Sequence, residues 1–419
     1  MKTSKLSTIN DNGKESRMKR RILFVINTMG QGGAEVAMIE LLKELPRLTD
    51  CEIDLYVMLG QGELIDRLPP HVNLLNKKMD SSDVLSSSGR FRLYRHTLAR
   101  LISGFSGLRN LPYIVSNYRQ MRRVGNVAAK NLLWKAISDG TKPPSKKYDV
   151  AVAYIEGAST YYVADKVQAD AKAAFFHTNY YKAGYNRKLD HGCYECFQEI
   201  FCVSNDVRSV FLSEYPELAD RVHIMRNIID SEEIIRKSKT GEGFGDDFDG
   251  IRIASIGRLV KLKSFDVAIE AASILKERGH KIRWSVFGEG EERSVLESKI
   301  KDSGLENEFI LYGTVSNPFP YLRESQIFVQ CSKYEGQSMA VREAKVLGLA
   351  IVLSLCEGNN NQIIDGVDGI YVASDALSIA DGIESLIKNP ELRLRLGSAA
   401  AKSNQKHEDA AQMLRLFKN

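Results

Sequence analysis

Residues 21–45 read RILFVINTMGQGGAEVAMIELLKEL, and the order of properties along them points to one kind of fold. Arg21–Asn27 is an apolar run of strand length, short enough for a strand buried on both faces. Met29–Gly33 is a glycine turn. From Ala34 to Leu45 apolar residues return at the spacing of one helix face. Strand, glycine turn and amphipathic helix together open a βα unit. Further short strands are expected at Ile53–Leu59, Val150–Tyr154, Ala173–Phe176 and Ile200–Val203.

The same pattern restarts after TGEGFGDDFDG (240–250), whose glycines and aspartates read as a linker. Ile251–Ile256 is a strand and Ser264–Arg278 a helix that Gly279 would stop. Ile282–Phe287, Phe309–Tyr312, Ile327–Gln330 and Ile351–Ser354 continue as strands with helices between them. Strands alternating with helices imply a parallel sheet covered on both faces. The expected fold class is therefore α/β, with two Rossmann-like parallel-sheet domains facing each other across a cleft. The expected division is a disordered tail (1–18), a first domain (19–235) carrying an insertion (84–148), a linker (236–250), a second domain (251–395) and a C-terminal helix (396–419).

The 419 residues are 43% hydrophobic and 26% charged, ordinary values for a globular chain that can bury sizeable cores. Six cysteines are too few for a disulfide scaffold, which suggests a reducing, cytoplasmic setting. Cys193, Cys196 and Cys202 lack a second ligand pair at zinc spacing, even with His177 and His191 nearby, so no metal site is expected. The start of the chain has no signal-peptide core, and no run of about 18 apolar residues spans a membrane. Net charge is +5 but uneven. Between Val84 and Tyr148 thirteen Lys and Arg face only Asp139, a local excess of +12 that leaves −7 elsewhere. That segment calls for an anionic partner. Phe91, Leu93, Tyr94, Leu98, Leu101, Ile102, Phe105 and Leu108 interleave with its arginines, which fits an interfacial helix on an anionic membrane. A solvated insertion is the plainer reading, and without a nucleic-acid motif no nucleic-acid partner is expected.

Several turns sit where ligands bind in an open parallel sheet, beyond the carboxyl ends of strands. The GQGG turn at 30–33 lets backbone amides and a helix N-terminus approach an anion, although Glu35 occupies the third position of a full dinucleotide fingerprint. Read alone, it is as readily a turn without a ligand. Arg258 and Lys263 follow the strand Ile251–Ile256 and can clamp a diphosphate, or can be solvated surface residues. Gly288–Gly290 closes the next strand. In SKYEGQSMAVREA (332–344), Glu335 precedes a helix starting near Ser338 and Glu343 lies inside it. Carboxylates so spaced accept hydrogen bonds from two places on one extended ligand, while the amides of Gly336, Gln337, Ser338 and Met339 face its negative part. A capped helix with an exposed glutamate is the plain alternative.

Taken in order, Gly32-Gly33-Ala34-Glu35, His177, Val203-Ser204-Asn205, Asn227 with Asp230, Gly257-Arg258-Leu259, Gly288-Glu289-Gly290 and the 332–344 segment resemble the family-four retaining glycosyltransferases. These have the two-domain GT-B fold. The resemblance implies that Arg258 and Lys263 bind the donor diphosphate, Glu343 the ribose and Glu335 the transferred sugar. It implies that Gly32 and Gly33 approach phosphate or sugar, and that His177 reaches the sugar near the reacting carbon. Backbone near Gly313 and Val315 would read the base. The expected activity is retaining, metal-independent transfer, without a cofactor, from a UDP-sugar to a lipid-linked or polysaccharide acceptor in cell-surface glycan synthesis. The protein would be cytoplasmic, or peripheral on the inner face of the cell membrane. Gln337, Ser338, Lys345 and the 359–362 segment depart from the family pattern, which leaves the donor sugar open. An epimerase or phosphorylase of the same fold, or a non-catalytic subunit, is the rival reading. Asp247-Phe248-Asp249 imitates a metal-binding DxD but lies in the expected linker.

Overall fold

The computed structural model describes residues 8–9, 15–16, 19–84, 86–356, 361–403 and 408–417. Near the start, β1 (Thr8–Ile9) pairs antiparallel with β2 (Glu15–Ser16) inside the stretch expected to be a structureless tail. The rest of 1–18 lies outside the described residues. The first large sheet contains β3 (Arg20–Ile26), β4 (Cys51–Val57), β5 (Val72–Leu74), β6 (Tyr148–Ala153), β7 (Ala169–Phe176), β8 (Glu199–Cys202) and β9 (Val222–Ile224). All pair parallel, in the order β5-β4-β3-β6-β7-β8-β9. The second contains β10 (Ile251–Ile256), β11 (Ile282–Phe287), β12 (Phe309–Gly313), β13 (Ile327–Gln330), β14 (Ala350–Ser354) and β15 (Ile370–Val372). It is also all parallel, ordered β12-β11-β10-β13-β14-β15. Ile22–Ile26 and Ile351–Leu353 have no solvent exposure, because helices cover both faces and apolar side chains must fill each. The expected α/β, two-sheet GT-B architecture therefore holds.

Each sheet reverses its strand order once, between β3 and β6 and between β10 and β13. At these points successive crossovers leave in opposite directions and open a crevice beyond the strand ends. The turn at 30–33 leads from β3 into the helix Gly33–Leu48, which buries Met38, Leu41, Leu42 and Leu45 against the sheet. Pro46 sits inside that helix and has no N–H for the Leu42 carbonyl. A ring nitrogen of His71 takes its place at 2.9 Å.

The insertion folds as helices Ser87–Ile102, Ser106–Arg109, Leu111–Val124 and Trp134–Asp139. Arg100 ties the first of them to the sheet, donating to the Met58 carbonyl at 3.2 Å and the Tyr56 hydroxyl at 3.1 Å.

Two expected boundaries need correction. The helix Ser231–Ser238 runs into the expected linker 236–250, and the remainder is packed rather than loose. Phe244 and Phe248 lie under the Arg252 guanidinium, while Asp246 pairs with Arg252 and Arg283, and Asp249 with Lys281. The acidic, aromatic composition that reads as a linker is complementary to cations on the second sheet. Nor is 396–419 one helix. The helix Pro390–Ser403 begins earlier, and a 3-10 segment, Glu408–Phe417, returns to the first sheet. There Ala410, Met413 and Leu416 are buried beside Ile22 and Phe24, and Arg20 stands 4.3 Å over the Phe417 ring. Met413 is fully buried, so Met413→Ala should lower unfolding free energy by about 2–5 kcal/mol, read by urea denaturation.

Candidate functional site

On the first-sheet side, the site is built from the loops after β3, β6 and β7. Asn27 ties the first two together: its side-chain amide donates to the Glu156 carbonyl at 2.8 Å and its oxygen accepts from the Ser159 N–H at 2.9 Å. The Glu156 carboxylate in turn accepts from the N–H groups of His177 at 2.5 Å and Thr178 at 2.9 Å. The His177 ring is buried against Tyr154 and Phe175, and its Nε2 shares a hydrogen bond of 2.9 Å with the Tyr154 carbonyl. A carbonyl only accepts, so Nε2 carries the proton and Nδ1 has the free lone pair. Burial pulls the ring down to about 4, so it is neutral at physiological pH.

The glycine turn is braced by Glu63, whose carboxylate accepts from the N–H of Gln31 at 2.9 Å and of Val84 at 3.1 Å. Gly32 is the residue before the helix, and a β-carbon there would fall 2.2 Å from a Glu35 oxygen. Glu35 folds back over the turn. Burial pushes its carboxyl up to about 7, against a backbone hydrogen bond and the positive charge of Arg258.

On the second-sheet side, three turns stack at the ends of β10, β11 and β12. The Gly257 N–H donates to Phe287, Leu259 N–H to Glu289 and Gly288 N–H to Gly313. A β-carbon on Gly288 would lie 2.1 Å from the Gly257 carbonyl oxygen, and Gly288 also has φ 148°, so only glycine fits. This backbone packing holds Arg258 at the rim, exposed and without a hydrogen-bond or ion partner among the described residues. Lys263 pairs with Glu335, which also accepts from the Ser332 hydroxyl at 2.6 Å. Gly313 and Val315 lie at and beyond the end of β12, on the far side of the Gly288 turn.

The helix Met339–Val346 starts at Ser338, whose hydroxyl oxygen accepts from the Val341 N–H at 3.4 Å. The expectation that all amides from Gly336 to Met339 are open to a ligand needs correction. The Ser338 N–H donates to Gln362 at 3.0 Å, because the segment after β14 folds back onto the helix start. Gln337 is engaged too, accepting from the Asn227 N–H at 2.7 Å, while Arg342 donates to the Asn227 carbonyl.

The two sides meet at glycines. A β-carbon on Gly336 would fall 1.8 Å from the His177 carbonyl oxygen, and one on Gly33 would lie 3.4 Å from Met339 Cγ. Gly32, Gly33, His177, Lys263, Glu335, Gly336 and Met339 thus come from two sheets to neighbouring positions. Glu343 is one turn further on, its carboxyl without a hydrogen-bond partner among the described residues. Burial pushes it up to about 7, with Arg67 opposing. Glu156 and Glu63 carry no motif by which sequence reasoning could single them out, while Glu35 belongs to the GGAE run. Cys193, Cys196 and Cys202 are free thiols, and burial raises all three.

Glu343 holds its proton to about pH 7 in the fold and releases it near 4.5 when unfolded. The folded state therefore binds the extra proton between those values, and stability falls as pH rises through them. Glu343→Gln should flatten that slope and stabilise the protein above pH 7 by roughly 1–3 kcal/mol, read by unfolding at pH 4 to 8. Gly336→Ala should push the two sides apart and weaken any ligand held by both, which calorimetry would detect.

Residues 243–403 match the model of the family described as glycosyl transferases group 1. The chain is 27% identical over 150 residues to poly(ribitol-phosphate) alpha-N-acetylglucosaminyltransferase of Staphylococcus aureus, covering 35% of this chain and 30% of the relative. It is 28% identical over 175 residues to an N-acetylgalactosaminyltransferase of Campylobacter jejuni, named for a diphospho-undecaprenol acceptor, covering 41% and 46%. The chain thus spans less than half the length of these relatives. Among solved structures, Anabaena HepE in complex with UDP and glucose superposes with a TM-score of 0.66 at 15% identity, over 95% of this chain and 98% of the other. The second sheet and its helices thus resemble glycosyl transferases group 1, and the whole chain has the GT-B fold.

Proposed function

We propose that this protein is a retaining, metal-independent glycosyltransferase that moves a sugar from a UDP-sugar to a lipid-linked or polysaccharide acceptor. In this reading residues 251–395 hold the donor and 19–235 the acceptor. One observation carries it: Arg258, unpaired, and Lys263, paired with Glu335, stand together at the switch point of the second sheet, opposite the glycine turn of the first. The names of the relatives support an acceptor in cell-surface glycan assembly.

The diphosphate would lie against Arg258 and draw Lys263 from Glu335, freeing that carboxylate for sugar hydroxyls. Glu343 would accept from the ribose, and the turns at Gly288, Gly313 and Val315 would face the nucleotide. As the glycosidic bond to phosphate breaks, charge grows on the departing diphosphate, where these two cations would stabilise it most. The leaving phosphate would take the acceptor's proton on the face that the acceptor attacks, giving retention. His177, neutral and with Nε2 committed to Tyr154, would position the sugar rather than transfer a proton. Gly32, Gly33 and the Gly336–Met339 segment would close around it.

Arg258→Ala should cut turnover about 100- to 1000-fold, the usual cost of losing one preorganised charge contact. Near-normal turnover in a folded variant would exclude the role. Glu343→Ala should weaken UDP itself by roughly 1.5–3 kcal/mol, whereas Glu335→Ala should spare UDP and impair transfer. Transfer should persist in excess chelator, and the product should keep the donor's anomeric configuration.

A separate observation supports a peripheral membrane position. Phe91, Tyr94 and Ile102 on the helix Ser87–Ile102, and Phe105 and Leu108 at and beyond the kink that follows it, are each between 64% and 71% exposed, whereas Leu93 and Leu101, expected among them, pack against the first core. No helix among the described residues is long and apolar enough to cross a membrane. We infer that this stripe rests in the interface of an anionic leaflet on the cytoplasmic side.

A further inference from the structure

The helix Ser87–Ile102 has a second face, beside the apolar stripe, with different chemistry. Arg92, Arg95, His96 and Arg100 recur at i, i+3, i+4 and i+8 and line an open cavity of about 830 Å³ whose opposite wall includes Asp80. A second cavity of about 610 Å³ shares Arg100 and Ser103 with the first and extends to Lys77, Lys78, Lys142 and Lys146.

Most of this charge has no internal use. Asp80 is occupied by Arg92 at 3.1 Å, and Asp54 by Lys146 at 3.2 Å and by the Tyr148 hydroxyl at 2.8 Å. Arg100 is spent on Met58 and Tyr56. Lys77, Lys78, Arg95 and Lys142 remain, with no carboxylate within 4.0 Å among the described residues. Cations gathered around one concavity repel each other, and a folded chain gains nothing from them unless an anion fills the space. Leu23, Leu75 and Pro143 in the wall lower the local dielectric, which strengthens attraction for a bound anion.

The cavity wall is tied through the backbone to the site already described. Asp80 exchanges backbone hydrogen bonds with Gly60 and Gly62 at 2.9 Å. The backbone of Gly62 lies against Met29, immediately before the glycine turn that faces the donor side.

We propose that these joined cavities are one anion site that holds phosphate groups of the acceptor while its hydroxyl reaches the cleft. The word acceptor rests on the glycosyltransferase reading, but the phosphate chemistry does not. A phospholipid headgroup or a soluble phosphodiester chain would each supply it.

The test uses the full chain and the variant carrying Lys78→Gln, Arg95→Gln and Lys142→Gln, three exposed side chains whose loss leaves packing intact. With UDP saturating, so that the donor site is closed to other anions, the wild type should bind inorganic tripolyphosphate, less tightly as salt rises. The variant should bind it on the order of 100-fold more weakly, at about fivefold per cation. UDP affinity should be unchanged. Sedimentation with phosphatidylglycerol vesicles identifies the source. If headgroups fill the site, the variant loses vesicle binding and tripolyphosphate competes with vesicles in the wild type. If the source is soluble, vesicle binding is equal in both and the variant raises KM for a phosphodiester acceptor at unchanged kcat. Equal tripolyphosphate affinity in wild type and variant, or none in the wild type at low salt, overturns the proposal. Failure of UDP to bind the wild type would instead sink the glycosyltransferase reading and leave the anion site standing.

Discussion

At Gly336 the backbone of the second sheet's main loop runs against the His177 carbonyl, so closely that a β-carbon would sit 1.8 Å from the oxygen. The carboxyl ends of two parallel sheets cannot approach through side chains; they need a place where backbone meets backbone. That place brings Glu335, one residue before Gly336, beside His177. Asn227, gripped at its N–H by Gln337 and at its carbonyl by Arg342, fixes the same contact from the side. The Arg342 guanidinium is buried, and burial lowers it to about 10. The depth of the crevice between the switch points is a consequence of this one junction.

The electrostatics of the crevice follow from that closeness. Glu35, Glu156 and Glu343 lie in or beside it, and burial raises all three. In each case removal from water penalises the charged carboxylate, and this outweighs the hydrogen bonds and cations that oppose it. Glu335 is partnered differently, by Lys263 and the Ser332 hydroxyl. Glu156 differs again, since the N–H groups of His177 and Thr178 point at it and shape the loop after β7. The same residue type therefore serves to hold a loop, to neutralise a cation and to keep an unfilled acceptor beside a helix.

Much of this was legible in the chain. Runs such as RILFVIN and IVLS are apolar throughout because strands covered on both faces must be, and the βα alternation then dictates parallel sheets. The glycine turns were legible for a related reason: Gly288 and Gly336 leave no room for a β-carbon. What escaped reading depends on partners far along the chain. Glu156 gains its role from amides 21 and 22 positions later, which the topology alone brings near. The Ser338 amide is taken by Gln362, which no local rule anticipates. Phe244, Asp246, Phe248 and Asp249 look like a linker until Arg252, Lys281 and Arg283 are beside them. The final segment reads as one helix until Ala410, Met413 and Leu416 are seen beside Ile22 and Phe24 of the first sheet.

That final segment gives the chain a second passage between the sheets. The first, through 225–250, includes the helix Ser231–Ser238, and the second leaves the helix Pro390–Ser403. Both helices pack against Met339–Val346. The two crossings therefore tether the two sheets through the layer of one helix, so that strain on either is felt at the same place. The helix bearing Glu343 is thus tied to both crossings, while Arg258 and the Gly288 turn follow β10 and β11, one and two strands from β13.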